Sequence, residues 1–176
     1  MIFMIAHNPN ELIAIVDEND KVVGTDTRNN AHKKGLLHRE IAVIVFNSKN
    51  EMLLQKRKDN GRYGFSAAGH FSSNENYLQG AIREAREEIG LELKESDLKQ
   101  IAKLRRDVSR DGLRNNVFLK IFEARKDFEI KDFKIDKSEV ESIKFFSIEQ
   151  IEKIISENPE SFGRGFRKVF EQFYKK

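Results

Sequence analysis

The chain has 176 residues, of which 39% are hydrophobic and 35% charged, a length and composition that fit one folded domain and exclude a disordered chain. Its net charge of +3 suits an anionic ligand but is too small to indicate nucleic-acid binding. Because cysteine is absent, disulfides, thiolate catalysis and cysteine-based zinc sites are excluded.

Strands are predicted along most of the chain. The opening stretch, MIFMIA, is too short for a signal peptide or a membrane span, so we expect a soluble, cytoplasmic protein. Runs of apolar and β-branched residues follow, and polar turns such as ENDK and SKN separate two pairs of them. In chain order the predicted strands are 11–17, 21–25, 40–47, 51–57, 100–108, 115–124 and 139–147.

Three helices are predicted, at 75–89, 147–158 and 159–174. Ser147 begins the second as its N-cap, and a proline favours the start of the third. The third also carries an apolar stripe that predicts core packing: Phe162, Phe166, Val169, Phe170 and Phe173. Together these elements predict an α/β protein, in which one domain over residues 1–176 sandwiches a mixed sheet between helices.

The first predicted helix carries Glu84, Glu87 and Glu88 within five positions. At about 100° per residue, the three side chains span about 100° of the helix surface beside the predicted buried stripe. Like charges at this spacing cost roughly a few tenths of a kcal/mol per pair. A divalent cation would remove that repulsion, and carboxylate oxygens suit Mg²⁺ or Mn²⁺. Taken alone, the triad indicates either a metal site or a solvated charged face.

The residues around the triad favour the metal site. Seven positions match the pattern G-x5-E-x7-R-E-U-x-E-E-x-G-U, namely Gly69, Glu75, Arg83, Glu84, Glu87, Glu88 and Gly90. At a typical usage of about 7% per residue type, such a match arises by chance about once in 10⁸ start positions. This pattern is the Nudix box, and the chain resembles the Nudix hydrolases.

The resemblance implies a reaction and a metal site. Family members use Mg²⁺ or Mn²⁺ to cleave a diphosphate linkage in a nucleotide or a related small molecule. Glu84, Glu87 and Glu88 would hold the metal together with the backbone carbonyl of Gly69. The same resemblance also allows Glu84 to activate the attacking water.

Other positions carry supporting roles by the same resemblance. Glu75 would pair with Arg83 and hold the loop before the helix against it. The general base of the family can also come from a late loop, where Glu139 and Glu141 are the candidates. As the alternative, these two are ordinary charges at the edge of a strand.

Outside the box, residues 11–57 and the SAAGHF stretch resemble the branch close to isopentenyl-diphosphate isomerase. The family isomerases use a cysteine where this chain has Ala68, and a Glu-x-Glu pair where residues 112–119 carry Arg and Asn. We therefore expect a hydrolase. An isomerase-like enzyme and a non-catalytic binding module remain the alternatives.

Histidines equivalent to His32, His38 and His70 bind a metal in the isomerases. For His32 and His38 we favour hydrogen bonding within the protein over metal binding. His70 follows the first glycine of the box, so we expect it near the site, in reach of metal or substrate. For His7 the sequence indicates no functional role.

Lys56 and Arg57 are the candidates for holding substrate phosphates. Weaker candidates are Arg105, Arg106, Arg110 and Arg114, and for each of these six residues a solvated basic face is the alternative. A base could stack on one of three aromatic residues, Tyr63, Phe65 and Phe118. The expected partner is a small-molecule diphosphate substrate; neither a membrane nor nucleic acid is expected, and a homodimer is left open.

Overall fold

The computed structural model describes residues 8–110 and 112–175, and its centre is a nine-stranded mixed sheet. The strands are β1 (Leu12–Val16), β2 (Val22–Thr27), β3 (His38–Phe46), β4 (Met52–Arg57), β5 (Tyr63–Gly64), β6 (Ala67–Gly69), β7 (Leu98–Arg110), β8 (Leu113–Arg125) and β9 (Val140–Phe146). The α-helices are α1 (Arg28–Lys34), α2 (Tyr77–Ile89), α3 (Ile148–Glu157) and α4 (Arg164–Phe173).

Strand β3 is the centre of the sheet. It pairs antiparallel with β1, β4 and β6, and parallel with β8. Its residues 41–46 are almost fully buried, as expected for an apolar run covered on both faces. Strand β7 extends the sheet beyond β8, and β9 lies antiparallel to β4.

Helices cover both faces of the sheet, which confirms the predicted α-β-α arrangement. On one face, α3 and α4 pack over β3, β4 and β8, and the predicted stripe from Phe162 to Phe170 lies in this core. On the other face, α2 packs against β3 through Ala81, Ala85 and Ile89. None of the helices within the described ranges is long and apolar enough to cross a membrane.

Two helix predictions need correction, and one helix was missed. Helix α2 begins at 77, not 75, because Asn76 caps it: Asn76 accepts from the N–H of Gln79, and the Gln79 side chain accepts from the N–H of Asn76. The predicted helix 159–174 is a 3-10 turn at 159–161 followed by α4, with Gly163 as its N-cap. Helix α1 was not predicted, since its segment RNNAHKK carries no apolar stripe.

Candidate active site

Helix α2 places Glu88 in the interior, beneath strands β4 and β6. The side chain is 3% exposed and accepts hydrogen bonds from Gln55 Nε2 at 2.6 Å and from the backbone N–H of Ala68 at 3.1 Å. Burial, with a smaller contribution from the charge of Glu84, raises the pKa of Glu88 to about 8. The carboxylate patch therefore borders the core, as the helical spacing predicted.

Glu84 lies against the backbone of Gly69. A Cβ atom built at position 69 would lie 2.6 Å from Glu84 Oε2, so the missing side chain is what lets the carboxyl group approach this backbone. Burial raises the pKa of Glu84 to about 7, although Arg83 Nη2 lies 2.9 Å from its Oε1 and acts in the opposite direction. Gly69 and Glu84, both predicted metal ligands, are therefore adjacent.

Arg83 connects the loop before α2 to the carboxylate patch. Its Nε donates to Glu75 at 3.1 Å, its Nη1 to Glu87 at 2.6 Å and its Nη2 to the carbonyl of His70 at 3.0 Å. Glu75 also accepts from the backbone N–H of Ser72 at 2.9 Å. The predicted pairing of Glu75 with Arg83 is thus present, and it fixes the loop that carries His70.

The carboxylate patch has the chemistry of a site for a hard divalent cation. Burial raises the pKa of both Glu84 and Glu88, so negative charge is poorly compensated there in the absence of an ion. The second oxygen of Glu87, Oε1, is buried without a hydrogen-bond partner. Carboxylate oxygens together with one backbone carbonyl form a donor set that fits Mg²⁺ or Mn²⁺.

The two candidates for a late general base differ in position. Glu139 is half-buried in the turn before β9, close enough that its charge raises the pKa of both Glu84 and Glu88. Burial also raises the pKa of Glu139 itself. Glu141 is exposed and accepts a hydrogen bond from Lys56 Nζ at 2.7 Å. The structure therefore brings Glu139 to the patch and leaves Glu141 on the surface.

A cavity of about 420 Å³ opens beside the patch. Arg57, Gly69 and His70, three of the predicted site residues, line it. Lys56, the residue predicted together with Arg57, does not, because alternate side chains of β4 point to opposite faces of the sheet. Tyr63 and Phe65 also line the cavity, whereas Phe118 lies beneath Lys103, whose Nζ is 4.6 Å from the ring centroid.

Several lining residues of this cavity were not predicted, among them Arg28, Glu40, Gln55 and Arg62. Of these four, only Gln55 has a recognisable sequence signal, as a polar residue within the apolar run of β4. Arg28 and Glu40 line the cavity because α1 and β3 pack around it. Residue spacing along the chain does not reveal this packing.

The three histidines of the described chain form a cluster at the edge of the cavity. His70 Nε2 lies 2.9 Å from His38 Nε2 and 3.2 Å from His32 Nε2, and His38 Nδ1 lies 2.7 Å from the carbonyl of Leu36. Burial lowers the pKa of all three, that of His38 to about 4, so the rings are neutral at pH 7. Neutral imidazoles this close can share hydrogen bonds, as predicted, or bind a metal.

At the positions that carry catalytic residues in the isomerases, this chain has groups without acid or base function. Ala68 lines the cavity, its side chain is a methyl group, and its backbone N–H donates to Glu88. Asn115 Nδ2 donates to Glu40 at 3.3 Å, and Asn116 Nδ2 donates to the carbonyl of Gly35 at 2.8 Å.

The arginines proposed as weaker phosphate contacts have protein partners. Arg106 donates to Glu40, Arg114 to Asp107, and Arg105 lies 3.6 Å from Glu18. The partner of Arg106, Glu40, lines the cavity. The side chain of Arg110 and His7 lie outside the part of the chain that the structure describes.

Comparison with known proteins identifies the family. The model of the NUDIX domain matches residues 36–171. The isopentenyl-diphosphate Delta-isomerase of Pectobacterium atrosepticum is 31% identical over 166 residues, which cover 90% of this chain and 88% of that protein. The human isopentenyl-diphosphate delta-isomerase 2 is 52% identical over 54 residues, but the match spans only 24% of its length.

Solved structures show the same fold. The DR0079 protein of Deinococcus radiodurans superposes with a TM-score of 0.71 at 21% identity, over 94% of this chain and 100% of that one. An Ap4A hydrolase of C. elegans superposes with a TM-score of 0.53 at 17% identity, over 77% of this chain and 96% of that one. With the family model spanning most of the chain and an intact box at the cavity, the protein belongs to the NUDIX family and resembles its isopentenyl-diphosphate isomerases.

Proposed function

We propose that this protein is a Mg²⁺- or Mn²⁺-dependent hydrolase that cleaves a diphosphate linkage in a nucleotide or a related small molecule. The observation that carries the proposal is the buried carboxylate patch beside an open cavity. Glu84 and Glu88 have raised pKa values, and Glu87 keeps one buried oxygen without a partner. Such an arrangement costs stability unless a cation compensates it, so a purely structural role explains it poorly.

In this proposal Gly69, Glu84, Glu87 and Glu88 hold the metal, which supplies charge neutralisation for the phosphate oxygens when it is bound. Gln55 and the Ala68 N–H orient Glu88 through their hydrogen bonds. These two donors fix the position of one carboxylate oxygen.

Other groups position the reactants. Arg83 orients Glu87, and Glu75 in turn holds Arg83. Glu139, with its raised pKa and its place beside the patch, is the candidate base that takes a proton from water; Glu84 is the alternative. Arg57 and His70 contact the substrate from the cavity wall.

The direct test is the turnover of Glu87→Gln. Loss of a metal ligand that stabilises transition-state charge should lower kcat at least about a hundredfold with the fold intact. Glu141→Gln is the matched control, because it neutralises an exposed carboxylate outside the patch. Turnover of Glu87→Gln close to that of the unmodified protein would remove the metal-site assignment.

The isomerase remains a second candidate because of the histidine cluster and the similarity to isopentenyl-diphosphate isomerases. Isomerisation of an alkene needs an acid and a base that act on a carbon skeleton. Ala68 offers neither, and the amides of Asn115 and Asn116 do not titrate. Hydrolysis is therefore the function that these side chains support best.

A further inference from the structure

The sheet surface beside the start of α2 carries side chains that the proposed active site does not use. Phe118 and Lys120 project from the same face of β8 as Phe122, which lies in the core beneath α2. In the neighbouring strand β7, Arg105 pairs with Phe118 and Lys103 pairs with Lys120. Because paired residues of adjacent strands project to the same face, the three cations and Phe118 lie together beside the helix.

A third strand adds a further cation to this surface. Arg39 of β3 is the partner of Phe118 in the parallel pairing of β3 with β8. The side chains of Lys103 and Arg105 are each 34% exposed, so a ligand can reach them. We call these residues the basic sheet face: Arg39, Lys103, Arg105, Phe118 and Lys120.

Carboxylates compensate the basic sheet face only in part. Asp20, in the turn between β1 and β2, accepts from Arg39 Nε at 2.7 Å and lies 2.6 Å from Lys103 Nζ. Glu18 lies 3.6 Å from Arg105 Nε but is 81% exposed, so this pair contributes little and can give way to a ligand. Within the described chain, four cations thus face two carboxylates, one of which is largely solvated.

Lys120 carries the charge that is least compensated. It lies directly opposite Lys103, and like charges in that relation destabilise a sheet. Among the residues that the structure describes, no carboxylate forms an ion pair with Lys120, and its Nζ lies 4.2 Å from the centre of the Tyr77 ring. Burial, followed by the charge of Lys103, lowers the pKa of Lys120. An anionic ligand would relieve this excess of positive charge.

Phe118 indicates which kind of anion fits. Lys103 Nζ lies 4.6 Å and Arg105 Cζ lies 5.5 Å from the centre of its ring. An aromatic ring flanked by cations on a sheet surface is an arrangement on which unpaired bases stack while the cations meet phosphates. An acidic peptide would pair with the cations but has no flat ring to match Phe118. A duplex keeps the faces of its bases inside the stack.

We propose that the basic sheet face binds single-stranded nucleic acid, with phosphates on Lys103, Arg105 and Lys120 and a base stacked on Phe118. The net charge of +3 does not reveal this surface, because three strands bring its cations together only in the folded sheet. Arg106, the next residue along β7, projects to the opposite face and donates to Glu40, which lines the cavity. The surface is therefore separate from the carboxylate patch, and the inference does not depend on the proposed hydrolase.

Fluorescence anisotropy of a labelled short oligouridine or oligothymidine tests the surface, with EDTA present to keep metal out of the carboxylate patch. If three cations each meet one phosphate, the logarithm of the binding constant should fall with the logarithm of the salt concentration with a slope of about −2. Lys120→Gln should weaken binding at least about threefold at low salt and bring the slope to about −1.4. Because this variant also removes a like-charge pair, it should melt at the same or a higher temperature than the unmodified protein.

Two further variants separate stacking from charge. Phe118→Leu keeps an apolar side chain but removes the flat ring, so it should weaken binding at least about fivefold and leave the salt slope unchanged. Lys153→Gln is the matched control for Lys120→Gln, because it makes the same change at a 73% exposed lysine of α3, which covers the opposite face of the sheet. This control should bind the oligonucleotide normally.

Three results would overturn the proposal. The first is no binding of either oligonucleotide by the unmodified protein at about 50 mM salt, where electrostatic contacts are strong. The second is unchanged binding in both Lys120→Gln and Phe118→Leu, or an equal loss in Lys153→Gln. The third is binding of polyglutamate as tight as that of the oligonucleotides, which would indicate an acidic protein as the partner.

Discussion

Burial of Glu88 favours the neutral acid over the carboxylate, although the hydrogen bonds from Gln55 and the Ala68 N–H act in the opposite direction, and the raised pKa has a measurable consequence for stability. The pKa of Glu88 rises from 4.5 to about 8 on folding. Near neutral pH the folded protein therefore holds a proton that the unfolded chain has already released. Its contribution to stability is complete below pH 4.5 and is lost as the pH rises to about 8.

Glu88→Gln removes this titration and keeps an oxygen that accepts from Gln55 and Ala68. In EDTA, the melting temperature of Glu88→Gln relative to the unmodified protein should therefore increase by at least about 3 °C between pH 5 and pH 8. The lowered pKa values of the histidines affect both proteins equally. Glu141→Gln should show no such increase, and a constant difference for Glu88→Gln would argue against a buried, protonated Glu88.

The sequence revealed Glu84, Glu87 and Glu88 as neighbours because their spacing along one helix fixes their relation in space. Gln55 could not be found in this way, because it meets Glu88 across 33 residues of chain. The part of the cavity wall formed by Arg62 and the start of α4 was equally hidden, since the two come together only where the backbone N–H of Gly163 donates to the carbonyl of Tyr63. Local periodicity predicts which face of an element is buried, but not which distant loops meet at that face.

At the scale of elements, helix α2 must hold three carboxyl groups in register, and its capping box fixes where it begins. Asn76→Ala removes the side-chain acceptor for the N–H of Gln79 and should cost about 1 kcal/mol, or about 2–4 °C in melting temperature. Asn76→Asp keeps an acceptor and should melt near the unmodified protein. Equal losses in both variants would show that the cap does not determine the stability of α2.

The longer elements were predictable because they bury a regular apolar pattern, as β3 and α2 do. The start of α4 was placed too early because Pro159 is a good first helical residue. It forms only a 3-10 turn here, and Gly163 then starts the α-helix at the cavity wall. Helix α1 was not predicted because two asparagines, which are weak helix formers, follow its first residue, and because Ala31 is its one buried residue.

At the scale of the whole molecule, a cation that binds the folded patch and not the unfolded chain must stabilise the protein. At a hundred times its dissociation constant, Mg²⁺ should add about 2.7 kcal/mol to the free energy of unfolding, or about 5–10 °C in melting temperature. Glu87→Gln should lose most of this gain. The same gain in Glu87→Gln would place the stabilising ion somewhere other than the carboxylate patch.

The chemistry itself gives the most direct test of the proposed function. The purified protein would be incubated with Mg²⁺ and either a panel of nucleoside diphosphate compounds or isopentenyl diphosphate, and the phosphorus products followed by ³¹P NMR. We predict release of phosphate or a monophosphate from at least one diphosphate compound, loss of this release in Glu87→Gln, and no conversion of isopentenyl to dimethylallyl diphosphate, even in Ala68→Cys. Isomerisation by the unmodified protein without hydrolysis of any compound would contradict the hydrolase assignment.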